Sequence, residues 1–520
     1  MKEKGLNIIK RPLILIIASA FFSFLPFTFS SLSFLLYFSF APFLYVMIKK
    51  NSGKLSASFL KGFLFGFLYY VGIYYWFLWM HPLDYAGLSG VTSICVVCLA
   101  WLGISLIHGA LWCVPTILCR LVNKWVKSPA LLGFVGIFGI LVAQKVTSYS
   151  QLAFPWVRIA LPQYRATALI QMASLFGMDG LDMFILTINL LIVLMFIYPP
   201  NKIRLCAACA ALLFALNLAF GLCRLNITDN NKELKIVTVQ GNVDAEAKWS
   251  NESDSVDSCY QIYNSLTAKN LTSDVDLVIW PESAVPVNLE NYPVYVDLYK
   301  EFSCEIKTPI LMGALWMKDD KYANTTTLID GNNVLKPYIK RKTAPFGEFM
   351  PYRPVLSKLF PALSKINVLQ SDYVNGTETV IMKTDMGNIG NVICLEITHP
   401  QLSRQSVSDG AEFMVAVTND SWLKDSSGTW QHAAHTVFRS IENSRYFVRS
   451  ANSGVTLVTD TRGRIVSSLG ALKQGALTQT IYLCDETTLY TAIGDILLPI
   501  FGSTLFMLVV VCIIRQRKKQ

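Results

Sequence analysis

The sequence predicts a multi-span α-helical membrane domain joined to an α/β domain. Three observations predict it. Of 520 residues, 53% are hydrophobic and 15% are charged, against about 25% charged in soluble domains. The charge is also split. Residues 225–488 hold 24 Lys+Arg and 30 Asp+Glu, whereas the remainder holds 21 and 5. Within 225–488, short β-rich runs alternate with longer helical stretches. The expected division is a membrane domain of seven spans over 1–224, an α/β domain over 225–488, and an eighth span with a basic tail over 489–520.

A helix needs about 20 apolar residues to cross a bilayer. Candidates lie at 12–27, 31–48, 59–80, 91–118, 130–147, 180–198, 204–223 and 491–514. Lys2, Lys4, Lys10 and Arg11 precede the first run in the manner of a signal peptide. No small-residue cleavage site stands out, so the run is expected as an uncleaved span. Residues 154–179 are apolar but broken by Pro155, Arg158, Pro162 and Arg165, which predicts an interfacial or re-entrant segment.

Basic residues cluster after even-numbered spans: Lys49, Lys50 and Lys54; Arg120, Lys124 and Lys127; Lys202 and Arg204; then Arg515, Arg517, Lys518 and Lys519. The loops 28–30 and 81–90 carry none, whereas the loop after the fifth span has Lys145, Arg158 and Arg165. By the positive-inside rule both termini are cytoplasmic and 225–488 lies on the outer face. The net positive charge therefore belongs to span flanks and not to a nucleic-acid surface. Tyr69, Tyr70, Tyr74, Tyr75, Trp76 and Trp79 crowd the outer end of the third span. They read either as an interfacial belt or as a lipid-facing wall beside a site.

Of 12 cysteines, Cys95/Cys98 and Cys206/Cys209 have C-x-x-C spacing, but their apolar surroundings favour packing over metal or redox work. A Cys259–Cys304 disulfide needs a distance that sequence does not give.

In the polar part, strands are predicted at Leu234–Gln240, Val275–Pro281, Pro309–Gly313, Thr325–Asp330, Asn391–Ile397, Glu412–Thr418, Tyr446–Ala451 and Val455–Thr459. Helices are predicted at Ser255–Lys269, Tyr295–Ser303 and Gln431–Asn443. Five runs carry chemistry. Val278-Ile279-Trp280-Pro281-Glu282 ends an apolar strand in a carboxylate, where α/β domains aim side chains at ligands. Lys340-Arg341-Lys342 leads into Pro345-Phe346-Gly347-Glu348. A lysine near two carboxylates can stay charged and stabilise an oxyanion. Val392-Ile393-Cys394-Leu395-Glu396 sets a cysteine in an apolar run with an acid two positions on; such a cysteine is either inert core or a nucleophile with a base nearby. Thr418-Asn419-Asp420-Ser421-Trp422 is a polar strand end. Gln431-His432-Ala433-Ala434-His435 puts two histidines on one helix face, but a third metal ligand has no evident place.

Glu282, Lys340 and Cys394, in this order and these contexts, resemble the Glu–Lys–Cys triad of the nitrilase superfamily. With the surrounding spans, the chain resembles the apolipoprotein N-acyltransferase family. Val239-Gln240-Gly241-Asn242 with Trp249, and Ala451-Asn452-Ser453-Gly454-Val455-Thr456, extend the likeness. The resemblance implies eight spans and a nitrilase-like α-β-β-α sandwich in a bacterial inner membrane. It implies Glu282 as general base, Lys340 as the lysine (Lys342 if the register differs) and Cys394 as nucleophile. Glu348, Glu396, Trp249, Asn419 and Trp422 would support the site, with no cofactor and no metal. The implied donor is a phospholipid, phosphatidylethanolamine by resemblance, and the acceptor a diacylated apolipoprotein. Leu395 stands where the family often has tyrosine, and Leu423-Lys424 where it tends to have Phe-Gly. Two rivals remain: a membrane-tethered amidohydrolase on a small C–N substrate, and a non-enzymatic lipid carrier.

Overall fold

The computed structural model describes residues 11–84, 87–229, 232–244, 248, 253–359 and 372–518. Among these, seven helices are long and apolar enough to cross a membrane: Ser30–Lys49, Leu55–Met80, Gly90–Val122, Pro129–Val146, Ala173–Ile197, Pro200–Leu225 and Leu497–Arg517. The first expected span is the apolar helix Pro12–Thr28, which at 17 residues is shorter than these. The segment expected to be interfacial up to residue 179 turns helical earlier. A helix begins at Ala173 and carries a kink at Gly177, whose φ is +62°.

Small residues set how closely these helices approach. A Cβ on Gly66 would lie 2.6 Å from the carbonyl oxygen of Gly109, and one on Gly109 would lie 2.7 Å from the backbone nitrogen of Phe67. The helices Leu55–Ile73 and Gly90–Leu111 therefore touch backbone to backbone, the usual solution where no water drives association. Arg158, which interrupts an apolar segment, is buried and paired. Its guanidinium bonds Asp179, and its Nε lies 3.0 Å from Asp182. Lys145 extends the cluster to Asp495 at 2.6 Å.

The rest of the chain builds two sheets. The first holds β1 (Glu233–Gln240), β2 (Leu277–Ile279), β3 (Val285–Asn288), β4 (Ile310–Lys318), β5 (Lys321–Asp330), β6 (Asn333–Val334), β7 (Tyr338–Ile339) and β14 (Gly475–Tyr482). Its order is β14-β1-β2-β4-β5-β6, with β3 on β4 and β7 on β5. The second runs β13-β12-β11-β10-β9-β8, built from β8 (Met382–Thr384), β9 (Gly387–Ile393), β10 (Phe413–Thr418), β11 (Phe447–Ala451), β12 (Thr456–Thr459) and β13 (Ile465–Leu469). Strands β9, β10 and β11 are parallel, as are β1, β2 and β4.

Side-chain alternation explains the layers. Leu234 and Ile236 of β1 join Ile393, Val415, Val417 and Val448 of the other sheet in one apolar layer between the sheets. Val237 and Val239 face the opposite way, onto α1 (Ser253–Asn270) and α2 (Pro293–Ile306) through Tyr263, Tyr299 and Phe302. The second sheet is covered by α3 (Pro400–Ser408), through Leu402 and Val407, and by α4 (Ser427–Asn443). The result is an α-β-β-α sandwich. Helix α4 is buried along nearly its whole length. Ala434, Val437, Phe438 and Ile441 pack into the apolar cluster of the helical half, together with Trp76, Trp156 and Leu395.

Two expectations are corrected. The strand predicted over Asn391–Ile397 ends at Ile393, and Cys394–Thr398 form a 3₁₀ turn. Strands β13 and β14 were not expected; they mix apolar with polar residues and are mostly half-exposed, so no buried apolar run marks them. All 12 cysteines are free, including buried Cys259 and exposed Cys304.

Replacing Gly66 by Leu is expected to force these two helices apart, at a cost of about 1–3 kcal/mol or more. A lowered melting temperature in detergent would report it. An unchanged melting temperature would contradict the close approach.

Candidate active site

Strand ends from both sheets deliver the site. β2 ends at Ile279, and Pro281 turns the chain so that Glu282 leaves the sheet. Gly313 of β4 makes this possible: a Cβ there would lie 2.5 Å from the Glu282 Cα. Lys340 follows β7, and its backbone N–H donates to the Asn324 carbonyl at 2.9 Å. Glu348 sits in the turn after Pro345, where Phe346 has a φ of +60°. Cys394 follows β9 with a φ of +52°. A left-handed backbone is uncommon for a residue with a side chain and costs about 1–3 kcal/mol. Such strain persists only where the surroundings enforce it.

Glu282, Lys340 and Glu348 form one hydrogen-bonded cluster. The Lys340 ammonium lies 3.2 Å from Glu282 and 2.9 Å from Glu348. Asn324 of β5 donates to both carboxylates at 2.7 Å. The second Glu282 oxygen accepts the Asn419 N–H at 2.7 Å, and the second Glu348 oxygen accepts the Ala344 N–H at 2.7 Å. Lys340 is 1% exposed. Burial alone would lower its pKa, but the two carboxylates outweigh burial and hold it well above the ordinary lysine value. Lys342, the alternative lysine, is exposed.

Cys394 is buried and feels both charges. Burial, with the Glu282 charge second, pushes its thiol above the ordinary range, while Lys340 and a hydrogen bond to Thr418 pull it down. The resting sulfur is therefore a thiol. Glu396 braces the turn that carries it. One carboxylate oxygen accepts the Ile393 N–H and the Tyr338 hydroxyl, both at 2.8 Å. The other accepts the N–H groups of Arg341 and Lys342, at 2.6 and 3.0 Å. One side chain thus ties the Cys394 turn to the Lys340 segment.

Asn419 contributes its backbone N–H to Glu282, and its side-chain oxygen accepts from Asn452 at 3.1 Å. Trp422 is half-buried against Trp76 and Trp156, with centroids 5.7 and 6.3 Å away. Trp249 lies outside the described residues. The two histidines part company. His435 Nε2 lies 3.0 Å from the Trp156 carbonyl oxygen, whereas His432 turns to Asp420 and Cys394.

Cys394, Asp420 and His432 bring possible ligand atoms within 4.8 Å of one another. Those of Asp420 and His432 are already engaged. Asp420 accepts from Thr418, and from Arg449 at 2.6 Å. His432 uses both ring nitrogens. The Arg449 cation in the same pocket also opposes a second positive charge.

Sequence reasoning named Tyr338 and Thr418 only as members of the chemistry-bearing runs, and it missed Asn324 and Arg449 as partners of the site. Asn324 lies in β5 just before the predicted strand start, and its only mark is a polar residue at a buried strand position.

The carbon-nitrogen hydrolase family model matches residues 235–488, and the apolipoprotein N-acyltransferase N-terminal domain model matches 19–191. A Geobacter metallireducens protein named apolipoprotein N-acyltransferase is 28% identical over 485 residues, covering 89% of this chain and 88% of its own. One of the same name from Chlorobaculum tepidum is 28% identical over 401 residues, covering 70% and 73%. The crystal structure of Saccharomyces cerevisiae Nit3, a nitrilase-superfamily protein, aligns at 16% identity and a TM-score of 0.37, over 51% of this chain and 95% of that one. Both halves of the chain, helical and sandwich, thus have counterparts in one kind of relative, and over most of its length the chain is similar to proteins named apolipoprotein N-acyltransferase.

Proposed function

We propose that the chain moves a fatty acyl group from a membrane phospholipid, through a thioester on Cys394, to the α-amine of a diacylglyceryl-cysteine on an apolipoprotein. The observation that carries this reading is the Glu282–Lys340–Glu348 cluster around a buried ammonium, beside a strained cysteine, with seven helices of spanning length among the described residues. The domains are those drawn from sequence: 1–224, 225–488 and 489–520. The positive-inside pattern supports an inner-membrane protein with cytoplasmic termini and an outward, periplasmic sandwich. Phosphatidylethanolamine is the donor that the resemblance favours.

In the first half-reaction Glu282 takes the Cys394 proton and sulfur attacks the ester carbonyl. Lys340 and the Leu395 N–H stabilise the tetrahedral oxyanion. The intermediate collapses, the lysophospholipid oxygen takes the proton from Glu282, and a thioester remains. In the second half the lipoprotein amine attacks, Glu282 receives its proton, and the proton returns to the departing Cys394 sulfur. Two half-reactions through one covalent intermediate give ping-pong kinetics. Both substrates are held in one leaflet, so the helical half brings them laterally to the thiol. Such positioning is worth roughly 7–11 kcal/mol at best. The membrane-tethered amidohydrolase shares the cluster but would release acid to water and form no acylated peptide.

Cys394→Ala is expected to insert and fold normally and to form no acyl adduct by mass spectrometry after incubation with phospholipid. Transfer to a diacylated peptide should fall roughly 10³-fold or more. A normal adduct on this variant would refute the assignment. Glu282→Gln should slow acylation by about 10²- to 10⁴-fold in single-turnover assays, as loss of a general base does. Because burial raises the Cys394 thiol, its thiolate is scarce at neutral pH and grows as pH rises. Iodoacetamide alkylation of the free enzyme should climb steadily from about pH 7 to about pH 10, without levelling near the ordinary thiol value of about 8.5. A plateau below about pH 8 would count against a buried, neutral resting thiol.

A further inference from the structure

We infer that His432 is a positioning residue for acyl transfer: its Nε2–H holds and polarises the Cys394–Leu395 peptide, whose N–H stabilises the oxyanion. The inference rests on the acyl-transfer reading above, in which the Leu395 N–H is an oxyanion donor.

The geometry starts from the peptide itself. The Cys394 carbonyl and the Leu395 N–H are two ends of one planar unit. Fixing the oxygen therefore aims the N–H. Leu395 lies in the first turn of a 3₁₀ segment, where an N–H has no acceptor within its own turn. The Leu395 side chain is buried in the apolar cluster of the helical half, which holds the far side of the same peptide. His432 Nε2 lies 3.2 Å from the Cys394 carbonyl oxygen. A carbonyl oxygen only accepts, so Nε2 carries the hydrogen whether the imidazole is neutral or charged. A hydrogen bond received at the oxygen makes the N–H of the same amide a stronger donor, by perhaps 10–30%.

The imidazole is immobilised on every side. With the hydrogen on Nε2, the neutral ring's Nδ1 accepts from Arg449 at 3.0 Å, and the same guanidinium holds the Asp420 carboxylate that lies beside it. Asp420 is itself fixed by Arg449 and by the Thr418 hydroxyl. Gly454 lets the Asp420 carboxylate come this close, because any Cβ there would overlap it. One ring face stacks on Trp156, with centroids 5.0 Å apart and planes at 21°. Trp156 is held in turn by Gln431 at 2.9 Å. A residue of the helical half thus supports the ring that supports the cysteine turn. This arrangement also explains how a non-glycine residue keeps a φ of +52°.

The test separates thiol reactivity from oxyanion stabilisation. Alkylation of Cys394 by iodoacetamide needs the thiolate but develops no oxyanion. Acylation by phospholipid needs both. Full-length wild type, His432→Ala and His432→Gln are compared in detergent micelles for single-turnover acylation, alkylation rate, phospholipid KM and melting temperature. His432→Ala should lose about 10- to 100-fold in acylation, less than the 10²–10³ of deleting an oxyanion donor outright. Its alkylation rate should stay within about twofold and its KM should hold. His432→Gln, which keeps an N–H near the same place, should recover much of the loss. The thioester carbonyl stretch of trapped acyl-enzyme should move to higher frequency in His432→Gln, and further in His432→Ala. If His432→Ala does not fold, the Gln variant and its carbonyl stretch decide alone. Equal losses in acylation and alkylation, or an unshifted carbonyl stretch, would overturn the inference. A wild type that forms no acyl-enzyme at all would overturn the acyl-transfer reading itself; a wild type that acylates beside a fully active His432→Ala would overturn only this one.

Discussion

An ammonium group taken wholly out of water dictates the centre of this molecule. Lys340 is buried, and an unpaired buried cation would lose its proton or unfold its surroundings. Two carboxylates prevent both, and Asn324 links those carboxylates to each other. Each partner comes from a different stretch: the end of β2, the turn after Pro345, and the middle of β5. The first sheet must therefore form in register before the charges can balance. Once balanced, they form a rigid polar floor next to a sulfur that burial keeps protonated. The same low dielectric that makes the cluster demanding to assemble makes its field strong where a negative charge develops.

Helix α4 meets an equivalent demand without an ion triad. It carries Gln431, His432, His435, Arg439 and Glu442, yet it is buried between the second sheet and the helical half. Every such group needs a partner, and most are found outside the helix. Gln431 reaches the Phe27 carbonyl and the Trp156 indole, His435 the Trp156 backbone, and Glu442 the Met178 N–H. These bonds fasten the sandwich to the helical half with direction as well as apolar contact. Relative motion of the two would break hydrogen bonds that water cannot replace.

Much of this was legible in the residues. The spans showed as apolar length, and the inner strands as β-rich runs. Glu282 and Cys394 showed as polar groups at the ends of such runs. The choice of Lys340 over Lys342 was open in sequence, because both lie in one basic stretch; burial separates them. What sequence could not show is pairing across long separations. Asn324 reads as one more polar residue near a strand, until Glu282 and Glu348 are both beside it. The paired histidines showed a shared helix face without a third metal ligand, but helical spacing does not show what each ring meets. The left-handed backbone at Cys394 left no mark, since the apolar run continues past the strand end to Leu395.

The antiparallel pairing of β1 with β14 bears on how the protein is made. β14 closes an edge that β1 opens, with Glu233 opposite Tyr482 and Gln240 opposite Gly475. The two strands bracket the sandwich in sequence, so the earliest strand leaves the ribosome long before its neighbour exists. Throughout that interval its bonding edge is bare, and a bare edge invites pairing with the wrong chain. A nascent chain halted before residue 475 would hold an open sheet, which makes this protein a natural client for whatever shields unfinished β-edges at the membrane.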